Sequence, residues 1–377
     1  MRRIVVAAAG LTLLVAAGCA EEETGSGTPT ITASPNDSPD ETTDGSGSPT
    51  DESAQGGAPR VVGTVADGLA APWGIDFLPD GSAVVTERDT RRVLRVTPDG
   101  DVAEIGVIDA AAPAGEGGLL GVAVSPSFDD DGLLYFYVTT AEDNRVVRAT
   151  YDGETLGEPE VILDGIPNAF IHDGGRLEFA PDGDLFVSTG EAGEPALAQD
   201  FESLGGKILR ITPDGEPSPL NSDPTSPVWS WGHRNVQGLA LDDDGTLWAS
   251  EFGDSTWDEL NRVETGNYGW PQVEGRGGRQ EFTDPQVVWR TKDASPSGLA
   301  FLDGHLWMAA LRGQRLWRVD VSTGSAREPQ DFFVGRFGRM RTVVVAPDGN
   351  LWVTTSNRDG RGDPAADDDR ILVLDVS

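Results

Sequence analysis

Three histidines, two lysines and a set of arginines carry the cationic and proton-transfer chemistry available to this chain. His172 stands in "AFIHDGGR", between an apolar approach and an Asp-Gly-Gly turn that opens an alternating strand. His233 stands in "WGHRNV" and His305 in "FLDGHLW". Imidazole exchanges its proton near neutral pH, so a histidine beside a carboxylate is a candidate general base. Arg234, Arg312, Arg339 and Arg341 offer planar forks that pair bidentately with carboxylates. Carboxylates and carbonyls from Glu251 to Asp254 suit a hard cation such as Ca²⁺, which takes oxygen ligands. The chain has no Cys-His metal spacing, no phosphate-cradling glycine loop ahead of a helix and no Gly-x-Ser-x-Gly nucleophile turn. A polyanion held by arginines, a calcium ion and a histidine base together fit oxidation of a hydroxyl by a carboxylated organic cofactor.

Whether these residues can meet depends on the elements that carry them. "MRRIVVAAAGLTLLVAAGCA" has the charged start, short apolar run and small-residue cleavage region of a secretory signal. Cys19 is the single cysteine, so no internal disulfide forms. "VAAGC" resembles a prokaryotic lipobox, with Ala16 in place of the usual leucine, which implies export and a lipid anchor on Cys19. Residues 20–59 are Ser, Thr, Gly, Pro, Asp and Glu with almost no aliphatics; they read as a flexible acidic tether. The net charge of −35 excludes a nucleic-acid binder driven by phosphate contacts.

From Arg60 to Ser377 one phrase recurs: an apolar residue, a turn ending in Asp-Gly or its equivalent, then an alternating strand. "FLPDGSAVVTER", "SFDDDGLLYFYVTT", "FAPDGDLFVSTGE", "LDDDGTLWASEFG", "FLDGHLWMAALRG" and "VAPDGNLWVTTSN" are its six copies. Asp-Gly between alternating runs predicts a hairpin; a third strand follows every copy and a fourth follows most. The last copy lacks its fourth strand, which "RVVGTVADGL" at the start can supply. The pattern predicts an all-β, six-bladed β-propeller of four-stranded antiparallel blades, closed by the N-terminal strand.

In such a ring the Asp-Gly turns share one face. The residues ahead of each first strand and after each second strand share the other. His172, His233, Glu87, Glu116, Glu191, Glu251, Arg234, Arg312, Arg339 and Arg341 are thereby expected around one mouth, with His305 on the opposite face as a solvated turn residue. The mouth also admits other readings, a calcium-dependent lactonase or a non-catalytic ligand-binding propeller.

"GEGGLLGVAVSPSF", "HDGGRLEFAPDGDLFVSTGEAG", "SLGGKILRITPDG", "WSWGHRNVQGLA", "DELNRVETGNYGWP" and "RMRTVVVAPDGNLWV" resemble, in order, the glucose/sorbosone dehydrogenase family of PQQ-dependent soluble aldose dehydrogenases. The resemblance implies His172 as general base, Glu191 as the carboxylate that orients it, and Arg234 as the group that polarises the quinone. It implies cofactor contacts from Glu116, Arg234, Asn235, Arg312, Arg339 and Arg341. It further implies a calcium held by the carbonyls of Gly253 and Asp254 and a second, structural calcium around Asp258, Glu259 and Tyr268. The implied reaction is oxidation of an aldose at its C1 hydroxyl to the lactone, with hydride passing to PQQ and onward to an unidentified electron acceptor.

Overall fold

The computed structural model describes residues 57–377. The signal segment ending at Cys19 and residues 20–56 of the tether lie outside the described residues. The chain from Arg60 onward forms six separate four-stranded antiparallel sheets. After β1 (Arg60–Ala66), blade one holds β2 (Pro72–Phe77), β3 (Ala83–Glu87), β4 (Arg92–Val96) and β5 (Val102–Val107). Blade two holds β6 (Leu119–Val124), β7 (Leu133–Thr139), β8 (Asn144–Thr150) and β9 (Glu160–Ile166). Blade three holds β10 (Leu177–Phe179), β11 (Leu185–Ser188), β12 (Lys207–Ile211) and β13 (Val228–Trp231). Blade four holds β14 (Val236–Leu241), β15 (Leu247–Glu251), β16 (Trp257–Val263) and β17 (Val287–Arg290). Blade five holds β18 (Pro296–Leu302), β19 (His305–Ala310), β20 (Arg315–Asp320) and β21 (Arg327–Phe332). Blade six holds β22 (Met340–Val345), β23 (Leu351–Thr355) and β24 (Ile371–Asp375), and β1 pairs antiparallel with β24 as its outer strand. The chain is a six-bladed β-propeller closed by its N-terminal strand.

One expected hairpin differs. In blade two "SFDDDG" makes a single helical turn, Phe128–Asp131, which Gly132 ends at φ 62°. Three consecutive aspartates turn into solvent there, and the glycine accepts the left-handed conformation that stops the turn.

The apolar face of every blade meets its neighbour. Six buried clusters lie between successive blades; Leu120, Tyr137, Leu177 and Val187 join blades two and three, for example, and Trp352, Ile371, Ile75 and Val85 close six onto one. At the mouth the contact tightens. Five of the six inner strand pairs carry an irregular register at the end where the first strand begins. Such bulges re-aim side chains next to sites. The bulge glycines Gly74, Gly121, Gly238 and Gly298 lie so close to the following blade that a Cβ would come within 2.7 Å of its backbone. Hydroxyls bridge the same seams: Thr86 donates to the Leu120 carbonyl at 2.5 Å, Ser188 to Val236 at 2.8 Å, Ser250 to Ser297 at 2.6 Å, and Thr342 to Trp73 at 2.5 Å.

The central channel is plugged below this level. The Arg176 guanidinium lies 4.4 Å from the Trp73 ring centre and donates to the Gln237 carbonyl and the Thr342 hydroxyl. Beyond it a cavity of about 160 Å³ holds the carboxylates of Asp76 and Glu178. Burial pushes Glu178 up to about 8, with the Asp76 charge adding to it and Arg176 opposing. The folded state therefore holds this proton more tightly than the unfolded chain does. Its stabilisation is complete below about pH 4.5 and is lost as pH rises through 8. Glu178→Gln should melt several degrees above the parent at pH 8 and nearly with it at pH 5. Equal melting temperatures at pH 8 would contradict the buried charge.

Candidate active site

His172 is the best-defined feature of the mouth. It adopts φ 62°, a left-handed conformation unusual for a residue with a side chain. Three contacts hold it there. Its N–H donates to Glu116 Oε2 at 3.0 Å, its carbonyl accepts from the Ala192 N–H at 3.1 Å, and its Nδ1 meets Glu191 Oε1 at 2.6 Å. Glu191 is buried on the blade-three exit, and Gly190 before it lets the two loops touch: a Cβ there would lie 1.9 Å from the His172 carbonyl oxygen. A carboxylate on Nδ1 selects the tautomer whose Nε2 carries the lone pair. No hydrogen bond from the described residues reaches that Nε2, so the basic nitrogen is free toward the mouth. Glu191 Oε2 is buried without a partner.

Asn235 continues the chain of contacts. Its Oδ1 accepts from the Gly174 N–H at 3.0 Å, and its Nδ2 stands 3.4 Å from Glu116 Oε2. Next to it Arg234 pairs with Asp254 at 3.2 Å and lies over the Trp270 ring. Its Nε is buried without an acceptor, an orphaned donor at the edge of the site.

Arg339 and Arg341 approach from blade six, and both turn to the buried Asp359. Arg339 makes a two-pronged contact at 2.9 and 3.1 Å; Arg341 lies at 3.8 Å and also donates to Gln237 Oε1 at 3.1 Å. Burial holds the Arg341 guanidinium down to about 9, and the neighbouring Arg88 and Arg339 charges add to the depression, with Asp359 opposing. Arg339 and Arg341 share the single carboxylate of Asp359, so an added anion would stabilise this pair. Arg312 follows β19, is exposed and has no ion-pair partner among the described residues.

Other expected members separate. His233 is fully buried, with Nδ1 on Glu251 at 2.9 Å, Nε2 on Ser230 at 2.8 Å and its ring stacked on Tyr268. Both nitrogens are taken, so it braces blade four and does not open to the mouth. Glu87 is turned to Arg92, Thr90 and the Ala70 N–H. His305 lies on the opposite face, its Nδ1 near the Asp303 carbonyl.

The two expected calcium positions fare differently. The N–H groups of Asp254, Ser255, Thr256 and Trp257 all converge on Glu274 Oε1 at 2.8–3.0 Å. No backbone donor among the described residues reaches the Gly253 or Asp254 carbonyl, which suits them to a hard cation. Asp258, Glu259 and Tyr268 do not come together as a side-chain set. Asp258 and Glu259 are consecutive in β16 and point to opposite faces. Asp258 accepts from the Gly253 and Ser295 N–H groups, whereas Glu259 accepts from Gly275 and Asn261. The Tyr268 hydroxyl is spent on the backbone of Arg262 and Glu264. Glu259 instead faces Glu251 and Asn261, whose Oδ1 is buried without a partner; burial, then the Glu251 charge, pushes Glu259 up to about 8.

The glucose/sorbosone dehydrogenase family model matches residues 69–367. The chain belongs to the glucose/sorbosone dehydrogenase family. It is 28% identical to the aldose sugar dehydrogenase of Escherichia coli, over 82% of this chain and 94% of that one. It superposes on the PQQ-bound aldose sugar dehydrogenase of Streptomyces coelicolor with a TM-score of 0.83 and 52% identity, covering 85% of this chain and 98% of that one. It superposes on a putative oxidoreductase (glucose dehydrogenase) of Thermus thermophilus with a TM-score of 0.78 and 44% identity, covering 84% of this chain and 100% of that one.

Asp359, Gln237 and Lys207 brace the site from behind and carry no motif in the sequence. Lys207 is fully buried and donates to the carbonyls of Leu197, Ala198 and Gly205 at 2.7, 3.3 and 2.6 Å, tying down the loop that follows Glu191. Asp359 lies two residues after the "SN" exit of β23; an acid that close to the mouth was its only signal. Asp359→Ala leaves Arg339 and Arg341 without their buried counter-charge and should cost roughly 3 kcal/mol in urea unfolding at low salt. Sulfate in the buffer should recover part of that loss. Unchanged stability would mean the two guanidinium groups are solvated and not held as found.

Proposed function

We propose that this protein is a PQQ- and calcium-dependent aldose dehydrogenase, exported and anchored to the cell membrane through lipid on Cys19. The observation that carries the reading is the pair His172–Glu191, with a free Nε2 facing a mouth ringed by arginines. PQQ bound there would supply the hydride-accepting quinone and three carboxylates. Arg339, Arg341 and the exposed Arg312 would hold those carboxylates, with Arg234 and Asn235 contributing from the loop beside His172. The carbonyls of Gly253 and Asp254 would hold calcium, whose positive charge stabilises negative charge developing on an adjacent oxygen.

The chain's own contribution is proton transfer and positioning. His172 Nε2 accepts the proton of the C1 hydroxyl as hydride leaves C1, which turns the aldose into its lactone. Glu191 keeps the ring in the basic tautomer and stabilises the imidazolium that forms. The orphaned Nε of Arg234 gains an acceptor when negative charge appears beside it. The reading is supported by family membership and by the PQQ-bound Streptomyces relative.

Apo-protein mixed with PQQ and Ca²⁺ should acquire quinone absorbance, lose it to a chelator, and reduce a dye when an aldose is added. His172→Ala should retain the cofactor and lose about 10²–10⁴-fold in turnover, the usual worth of a placed base. His305→Ala should keep the parent rate. Full turnover in His172→Ala would remove this histidine from the reaction.

A further inference from the structure

Glu116 occupies the mouth as a carboxylate where an anionic cofactor is expected, and its contacts explain why it is tolerated. Its own N–H donates to the Phe170 carbonyl at 3.1 Å, while its Oε2 accepts the His172 N–H at 3.0 Å. The loop of blade two thus grips the segment 170–172 of blade three at two points. Gly115 permits the approach, because a Cβ there would lie 2.0 Å from the Phe170 carbonyl oxygen. The other oxygen, Oε1, meets Arg361 Nη1 at 3.3 Å. Arg361 comes from the loop after β23 in blade six, reaches past blade one, and belongs to the same loop that supplies Asp359 to Arg339 and Arg341.

We propose that Glu116 is a positioning residue for the base, and that Arg361 is the counter-charge that makes Glu116 compatible with an anion in the mouth. A left-handed conformation at His172 is sparsely populated for a residue with a Cβ, so it persists only where its polar groups are captured. Glu191 fixes the ring and Ala192 the carbonyl; Glu116 fixes the remaining group, the N–H. An uncompensated carboxylate at this place would repel a cofactor carrying carboxylates. The Arg361 contact offsets part of that charge without removing the acceptor. The inference rests on the reading of His172 as the base.

Three measurements test it. In apo-protein labelled with ¹⁵N-histidine only three amide signals arise, one per histidine. The His172 amide proton should lie downfield as a charge-assisted donor, move upfield in Glu116→Ala and be largely kept in Glu116→Gln, whose amide oxygen accepts the same bond. An His172 signal indifferent to Glu116→Ala overturns the positioning role whether or not the protein takes up PQQ. In PQQ-loaded protein, Glu116→Ala should lose about tenfold or more in turnover with sugar KM changed little, as expected for a misplaced catalytic group. Glu116→Gln should restore most of that loss. A rise in KM with turnover intact would make Glu116 a sugar contact instead. In titrations of apo-protein with PQQ and excess calcium, Arg361→Ala should weaken binding about fivefold, a coupling ordinary for neighbouring charges. Adding Glu116→Gln to Arg361→Ala should return affinity to near the parent value. A double variant as weak as Arg361→Ala alone means that Arg361 grips the cofactor directly, and overturns the pairing. Parent protein that binds no PQQ sinks the dehydrogenase reading, while the amide signal still judges the positioning role.

Discussion

The closeness of neighbouring blades at the mouth is the constraint on which the rest depends. Gly74, Gly121, Gly238 and Gly298 let each first strand start against the backbone of the next blade, and register irregularities there turn selected side chains into the channel. Trp73, Gln237, Ser297 and Arg341 all sit within or beside those irregularities. Gln237 Oε1 accepts from Arg341 Nη1 and from the Ser297 hydroxyl, so blades four, five and six meet through one amide. Ring closure, channel plug and site walls therefore share the same residues. A side chain at any of these glycines would displace the mouth before it disturbed the outer strands.

The site's electrostatics follow from this crowding. An acidic chain of net charge −35 gathers arginines at one opening and supplies each group of them with few carboxylates. Asp359 serves Arg339 and Arg341, Asp254 serves Arg234, and Glu116 serves Arg361. The protein alone leaves orphaned atoms at Arg234 Nε and Glu191 Oε2. Buried polar atoms left unpaired are costly, and a ligand with complementary charge relieves them. The same burial that makes Arg341 costly as a free cation makes it a strong partner for an incoming anion.

Much of the architecture was legible because the signals were local. Period-two alternation with Asp-Gly turns marks six inner hairpins, and the incomplete last copy points to closure by residues 60–69. His172 and Glu191 were legible because each stands at the end of a strand phrase whose direction is known. His233 was misplaced at the mouth because "GHRN" sets three polar residues where the chain turns, and only the fold decides that His233 goes inward to Glu251 while Arg234 and Asn235 go to the site. The side chains of Asp258, Glu259 and Tyr268, which the resemblance groups around a second calcium, go to different partners, because adjacent strand residues face apart. The Glu116–Arg361 contact joins distant parts of the chain and has no local signature.

The central claim is that His172, oriented by Glu191, takes the C1 proton as hydride leaves the same carbon. The most direct measurement is the rate of cofactor reduction in a single turnover of PQQ-loaded protein, with aldose protiated or deuterated at C1, in the parent and in Glu191→Gln. The account predicts a primary isotope effect in both. It also predicts a rate in Glu191→Gln lower by about 10²-fold or more, because the amide no longer holds the basic tautomer or balances the imidazolium. Loss of the isotope effect in the parent, or an unchanged rate in Glu191→Gln with cofactor bound, would contradict it.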